Sequence, residues 1–538
     1  MRQTVPHSHA QNPDHPLRKI CVMGAGHVGT STSAVLAYRN PSCEVKVVDV
    51  NRDRISGWNS SSPPIFEPGL QEMLAEVSAG SGIFKDSAYF RELTSLRELH
   101  GVEEAGAEDI EDEPRAPNLT FSTDIAEGIA EADVVFICVD TPAHVNLSSV
   151  DHFDMDLTRH DGALRMIAES AVGHTVVVEK STVPGGTSQR SADFLADYAT
   201  PEKSFTVLSN PEYLAQGTSI SDIMYPDRVI IGFTQDDPAA KAASEALANL
   251  YIPWVPSNRV LTMSLFSSEL TKLAHNAFLA QRVSSINALS AICEASGGDI
   301  ADVSRGLGMN ARIGSKYLQA SFGFGGSCLV KDTASLAYLA RSLGLTEPSD
   351  YWKHVLLLNE HQKGRFAERV VTRLGGAPLL HRERIAVLGF AYKKETRDTR
   401  GTPARDVVLR LLKSGASVAL YDPYASMTQI QTELGGQSSE PLVSATLQND
   451  LTVSPSVYDA CRDARAVVVL NEIPELDNRN APGSNGADGV STRRNAGSVV
   501  WDRIAENMRE PRYVFDGKGF VDSRGLEQQG FIVEVVGR

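Results

Sequence analysis

The stretch GFGGSC, residues 323–328, sets three glycines and a serine ahead of Cys328, and the helix-forming run LVKDTASLAYLARSLGL follows at once. Ser327 is expected to cap that helix, which puts Cys328 in its first turn. A thiol there has a lowered pKa and is nucleophilic. Asp332 is four residues on, on the same helical face, and Lys331 beside it can turn toward an anion. A thiol with a carboxylate one turn away suits covalent catalysis followed by hydrolysis. A buried structural cysteine fits the same flanks.

A second cluster lies in SLFSSELTKLAHNAFLAQRVSSINALSAICEASG, where Lys272 and Asn276 are one helical turn apart. An ammonium and an amide on one face can stabilise a developing alkoxide. An exposed helical lysine gives the same spacing. Glu212, in SNPEYLAQG, follows an apolar strand, the place where α/β sheets bind ligands. Taken alone, a solvated turn glutamate reads the same way.

The third constellation is GAGHVG, with Gly24, Gly26 and Gly29 in G-x-G-x-x-G spacing and His27 and Val28 between them. It follows a strand and opens a helix, the context in which glycines let the backbone approach a pyrophosphate at a helix N-terminus. Asp49 closes the next strand, twenty residues past Gly29, where an acid holds the adenosine ribose and repels a 2′-phosphate. The pattern favours NAD over NADP. Arg54, nearby, is the residue that could answer a phosphate instead.

These residues need scaffolds. Short apolar runs alternate with helical stretches from Lys19: KICVM, EVKVVDV, ADVVFICV, HTVVVEK and FTVLSN. That alternation predicts a parallel doubly wound sheet. Strand signals vanish from Met263 to about Ala377, where a long linking helix is expected, and restart at Arg384 with RIAVLGFAYK, DVVLRLLKSGASVALYDP, ARAVVVL and RYVFDGKGF. The fold class is therefore α/β: an N-terminal Rossmann-like NAD domain (residues 18–260), a central long-helix region (261–380) carrying the thiol, and a C-terminal Rossmann-like α/β domain (383–538). Residues 1–17 read as a disordered leader without the apolar core of a secretory signal. An acidic insertion at about 80–117 and a polar, glycine-rich one at about 477–498 read as surface loops.

The chain has 538 residues and a net charge of −16, which argues against a nucleic-acid partner. No apolar run is long enough to span a bilayer. Six scattered cysteines without a C-x-x-C pair argue against zinc and disulfides and fit a reducing, cytoplasmic setting. An anionic ligand would need locally concentrated positive charge.

Together KICVMGAGHVG, VVDVNRDRI, PIFEPGL, EKSTVPGGT, SNPEYLAQGT, YPDRVIIG, NAFLAQRVSSINALSAICEASG, GFGGSCLVKD, LGFAYKKETRDTR and FDGKGF resemble, in order and over nearly the whole chain, the UDP-glucose 6-dehydrogenases within the wider nucleotide-sugar dehydrogenase family. The resemblance implies a four-electron, NAD-dependent oxidation of UDP-glucose to UDP-glucuronate through a thiohemiacetal and a thioester on Cys328. It implies that Lys272 stabilises oxyanions, Asn276 holds the reacting group, Asp332 orients or deprotonates, and Glu212 and Thr141 position or activate water. Thr141, Gln216, Lys331 and Arg400 go with the cofactor. Tyr213, Leu214, Phe324, Gly325, Tyr392, Lys393 and Lys518 go with the sugar nucleotide. Arg312 goes with the site of a neighbouring subunit, which implies a homodimer or larger dimer-based assembly with the central region at its interface.

Four departures bear on specificity. Gln216 stands where the family often has Glu, and Gln319 where animal members carry Lys. Lys518-Gly519 replaces an arginine-containing pair, and DTPA replaces the commoner NTPT. They leave GDP-mannose or a UDP-N-acetylhexosamine as alternative substrates, and an inactive nucleotide-binding paralogue as a further alternative.

Overall fold

The computed structural model describes residues 17–61, 63–81, 84, 87–91, 116–145, 153–326, 328–394, 396–435, 449–476 and 499–538. Almost all of the expected leader, most of the acidic insertion, the whole of 477–498 and the expected cap Ser327 lie outside the described residues. The chain divides into two compact units. One comprises residues up to 144 together with 154–273, the other 145–153 with 274–538.

The first unit is built on an eight-stranded sheet: β1 (Lys19–Met23), β2 (Glu44–Val48), β3 (Leu119–Ser122), β4 (Val134–Ile137), β7 (His174–Glu179), β8 (Ser204–Ser209), β9 (Val229–Phe233) and β10 (Val260–Ser264), with a small pair, β5 (Ala143–His144) and β6 (Asp154–Met155), outside it. β1 and β4 are almost wholly buried and rich in branched residues, as strands covered on both faces must be. The order is β10-β9-β8-β7-β4-β1-β2-β3, and β3 to β8 pair in parallel. The expectation of a wholly parallel sheet needs correction at one edge. β9 meets β8 antiparallel at Ser209 and Gly232, and β10 runs parallel to β9. The connection between β8 and β9 holds only the short helix Ser219–Met224 and builds a turn rather than a full crossover.

The second unit contains most of the long helix Leu265–Ser296, the helices Leu329–Ser342 and Thr346–Arg373, and a second sheet. That sheet comprises β11 (Arg384–Leu388), β12 (Ser417–Tyr421), β13 (Leu451–Val453), β14 (Ala466–Val469), β15 (Tyr513–Asp516) and β16 (Ile532–Val535). Its order is β13-β12-β11-β14-β15-β16, all parallel, so the strand order reverses between β11 and β14. Ligands of such sheets bind beyond the carboxyl ends of the strands at that reversal. Here those ends carry the turns that hold Lys393 and Asn471, and the Asn471 amide donates to the carbonyls of Ala391 (3.1 Å) and Lys393 (2.8 Å).

Candidate active site

In the first unit the glycine turn after β1 is compact. Gly24 has φ +108°, and a Cβ there would stand 2.5 Å from the Cys138 carbonyl oxygen. A Cβ on Gly29 would stand 2.0 Å from the Gly24 carbonyl oxygen, so the helix His27–Arg39 can start this close to β1 only with glycine there. Gly26, at the N-cap, has no side-chain cap, and a Cβ there would meet nothing within 4 Å. First-turn N–H groups of a helix lack intrahelical acceptors, so this end offers donors and a positive dipole to an anion. His27 bonds through Nε2 to the Ser219 hydroxyl and lies 3.6 Å from Glu67, while Val28 packs partly buried against the core. Asp49 is buried at the end of β2. Its Oδ2 accepts the Ala25 N–H (2.8 Å) and the Arg54 guanidinium (3.1 Å), and its Oδ1 accepts the Asn51 N–H (2.8 Å). Arg54 is thus paired with the acid. The turn, the uncapped helix and the acid at the second strand fit a dinucleotide with free ribose hydroxyls.

Glu212 sits in the turn after β8, 9% exposed, and Lys272 on the long helix is 4% exposed. The Lys272 ammonium donates to Glu212 Oε1 at 2.9 Å, and the Leu214 N–H donates to Oε2 at 2.7 Å. Burial opposes the charge on Glu212. Lys272, the Leu214 N–H and Lys180 outweigh it and hold the carboxyl below its usual range. Both Lys272 and the Arg228 guanidinium lie over the Tyr213 ring, at 5.3 and 4.1 Å. The Thr141 hydroxyl donates to the Thr182 carbonyl at 2.7 Å, and the Thr182 hydroxyl is the one that reaches Glu212, at 3.4 Å. Thr182 was missed at the level of sequence, although EKSTVPGGT places a hydroxyl just past the end of β7. Glu269, one turn before Lys272, was missed as well. Its buried carboxylate accepts the Gly186 N–H (2.6 Å) and the Ser188 N–H (2.6 Å) and hydroxyl (2.7 Å), gripping the start of the helix Thr187–Ala196.

In the second unit Cys328 is exposed, and it is itself the N-cap of the helix Leu329–Ser342. It therefore stands one position earlier than the expected first turn, and its carbonyl accepts the Asp332 N–H at 2.9 Å. Asp332 is fully buried. The Asn276 amide donates to its Oδ2 at 2.6 Å, and the Lys331 ammonium lies 3.2 Å from its Oδ1. Asn276 and Asp332 are thus brought together, and Lys331 is drawn to the carboxylate. The glycines before the thiol serve close approach. A Cβ on Gly325 would stand 2.2 Å from the Gly401 carbonyl oxygen, and one on Gly326 (φ +87°) would stand 2.7 Å from the Tyr392 ring. The Gly326 N–H donates to the Gly401 carbonyl at 3.0 Å. Asn359 holds both backbone groups of Phe324, at 2.9 Å each.

The other expected residues make contacts of their own. The Lys393 ammonium lies 5.9 Å from the Tyr392 ring centre. The Lys518 ammonium lies 5.4 Å from that of Phe322, with burial pushing its pKa down against Glu472 and Asp516, and Gln319 donates to the Lys518 carbonyl at 2.9 Å. Arg400 pairs with Asp398 at 2.7 Å. Arg312 is exposed on a separate loop. Gln216 is partly buried in the turn that follows Glu212. Among the described residues no cluster of His, Cys, Asp and Glu is arranged to hold a metal, and no helix is long and apolar enough to cross a membrane.

Three family models match in sequence: the UDP-glucose/GDP-mannose dehydrogenase NAD binding domain over 18–95 and 96–255, the central domain over 266–361, and the UDP binding domain over 386–488. Over 527 residues, 97% of each chain, the sequence is 39% identical to UDP-glucose 6-dehydrogenase 2 of Arabidopsis thaliana and 40% identical to UDP-glucose 6-dehydrogenase 1 of Oryza sativa subsp. japonica. The fold is similar to that of a UDP-glucose dehydrogenase from the hyperthermophilic archaeon Pyrobaculum islandicum, with a TM-score of 0.71, 27% identity, and coverage of 99% of this chain and all of the other.

Proposed function

The chain belongs to the UDP-glucose/GDP-mannose dehydrogenase family, and from that premise we propose that it is an NAD-dependent UDP-glucose 6-dehydrogenase forming UDP-glucuronate through a thioester on Cys328. The observation that carries the reading is the cluster at the start of the thiol helix: an exposed thiol at the N-cap, above a buried Asp332 that binds Asn276 and Lys331. Gly24, Gly26, His27, Val28, Gly29 and Asp49 would hold NAD, with Gln216, Lys331 and Arg400 as further contacts. Bound NAD supplies the hydride acceptor for each of two oxidations. The alcohol at C6 loses two electrons and two protons to become the aldehyde. The Cys328 thiolate adds to that carbonyl, and the thiohemiacetal so formed is oxidised to the thioester. Water cleaves the acyl–sulfur bond, giving the carboxylate and regenerating the thiol.

Lys272 stabilises the oxyanions. Glu212, held ionised and within reach of the Thr182 hydroxyl, orients the hydrolytic water. Asp332 fixes the Asn276 amide. The C-terminal sheet would take the nucleotide beside Lys393, Tyr392 and Lys518. The reading includes a homodimer or larger assembly in which Arg312 serves the neighbouring site, and a cytoplasmic setting.

The test is NADH formed per UDP-glucose at limiting sugar. Wild type should give two NADH and the uronate. Cys328→Ser should bind NAD yet form no acid. One NADH with free aldehyde would leave Cys328 structural, and no turnover except with another sugar nucleotide would move the substrate to that class.

A further inference from the structure

Lys180 has no part in the mechanism above, yet it lines the same cavity as Glu212. It directly follows β7 and is 7% exposed. Its ammonium donates to Asn210 Oδ1 at 3.0 Å, to the Asn210 carbonyl at 3.4 Å and to the Tyr251 hydroxyl at 3.5 Å. Among the described residues no carboxylate pairs with it directly. Asn210 is 1% exposed and gathers the surroundings: Tyr251 O–H donates to the same Oδ1 at 2.6 Å, and its own amide donates to the Ile230 carbonyl at 2.8 Å. Two residues later the chain reaches Glu212. Lys180, Asn210, Glu212 and Tyr251 line one cavity of about 180 Å³, into whose wall the buried Thr32 also enters.

A lysine that only filled space would be better as an apolar residue, because a buried ammonium without a carboxylate partner opposes folding. What this ammonium does touch is the side chain that fixes the Glu212 turn, and its field falls on Glu212. We propose that Lys180 is a positioning residue for thioester hydrolysis, holding the Glu212 turn through Asn210 and, together with Lys272, keeping the Glu212 carboxylate ionised. This rests on the role given to Glu212 above. The charged and titratable groups around the pair are Lys272 on the long helix, Cys138 after β4, Tyr251 on the helix Pro238–Tyr251, Tyr213 beside Glu212, and Asp222, Tyr225, Asp227 and Arg228 in the wall of the same cavity. Burial pushes Cys138 up to about 12 and raises Tyr251, so both stay neutral where the enzyme works. Lys180 and Lys272 both lower the Glu212 pKa.

The experiment compares wild type, Lys180→Met and Lys180→Gln as full-length enzyme with UDP-glucose and NAD. Acyl-enzyme formation and hydrolysis are resolved in single turnovers from pH 5 to 9. Hydrolysis should slow roughly tenfold or more, and its acid limb should move up by about half a pH unit or more. Acyl-enzyme formation and the KM for NAD should change less than about twofold. The Gln variant retains a donor for Asn210 and should slow less, with the same shift of the limb. At pH 7 the Tm of the Met variant should equal or exceed that of wild type. Limbs that coincide with that of wild type, a Tm that falls in step with activity, or failure of both variants to fold would make Lys180 a core residue and overturn the proposal. Wild type that stops at one NADH would overturn the underlying reading, and this one with it.

Discussion

Gly325→Ala isolates the reason for glycine ahead of the thiol. The residue has no left-handed backbone conformation to defend, so the substitution adds one methyl and little else. That methyl would stand 2.2 Å from the Gly401 carbonyl oxygen, 2.6 Å from Pro403 Cδ and 3.0 Å from Pro403 N. A backbone oxygen and a proline ring cannot rotate aside, so the two loops must part by about 1 Å to restore ordinary contact. Overpacking of this kind costs about 1–3 kcal/mol, and the Gly326–Gly401 hydrogen bond adds about 1 kcal/mol if it breaks. The loss of stability should be about 2–4 kcal/mol. A reacting group displaced by about 1 Å can lose on the order of 100-fold in rate. Thermal unfolding and single-turnover acid formation read the two effects. Gly364→Ala is the internal control. It lies in the helix Thr346–Arg373, a Cβ there meets nothing within 4 Å, and it should gain up to about 1 kcal/mol. Gly325→Ala with wild-type Tm and wild-type acid formation would refute close approach as the reason for that glycine.

Asp49→Ala should weaken NAD about 10- to 100-fold, as loss of a charged hydrogen bond to the ribose requires, and narrow the preference over NADP. Titration calorimetry with both cofactors decides it, since unchanged NAD affinity would place the ribose elsewhere. The buried pair His160–Glu179, 2.9 Å apart, gives a pH signature. Burial would lower the imidazole pKa, but the hydrogen bond and charge of Glu179 raise it above the ordinary value. Its stabilisation is therefore complete below about pH 6.5 and fades as pH rises through the folded value. The Tm difference between wild type and Glu179→Gln should be largest at acidic pH, and a difference that grows with pH would contradict the assignment.

The parts of the site legible in the sequence are those made of neighbours along the chain. GAGHVG, the acid twenty residues later and the i, i+4 pairs are local geometry, and a regular helix carries such spacing directly into space. Thr182, Glu269 and Lys180 were not legible because their partners are set by tertiary packing: 30 residues separate Thr182 from Glu212, and 83 separate Gly186 from Glu269. The antiparallel edge was hidden for a related reason. β9 is as apolar as the parallel strands, and direction depends on whether the connection crosses the sheet, which strand composition does not record. The glycines before Cys328 suggested a setting for the thiol, but Gly401, whose close approach they admit, lies 76 residues after Gly325.

The two buried lysines described in the first unit differ in their partners. Lys272 has Glu212 at 2.9 Å, and each lends the other its charge. Among the described residues Lys180 hydrogen-bonds only to neutral oxygens, and burial pushes it down to about 8. A lysine depressed in this way costs nothing where it is neutral in both states. The penalty grows as pH falls through the interval between the unfolded and folded values and is complete below about pH 8, where it amounts to about 3 kcal/mol. The Asn210 and Tyr251 bonds return part of that. Folding alone would be served as well by a methionine beside Asn210, whose Oδ1 would still accept from Tyr251. Under the proposal above, the ammonium, charged below about pH 8, makes physical sense as a second positive charge that holds the Glu212 carboxylate ionised beside that of Lys272.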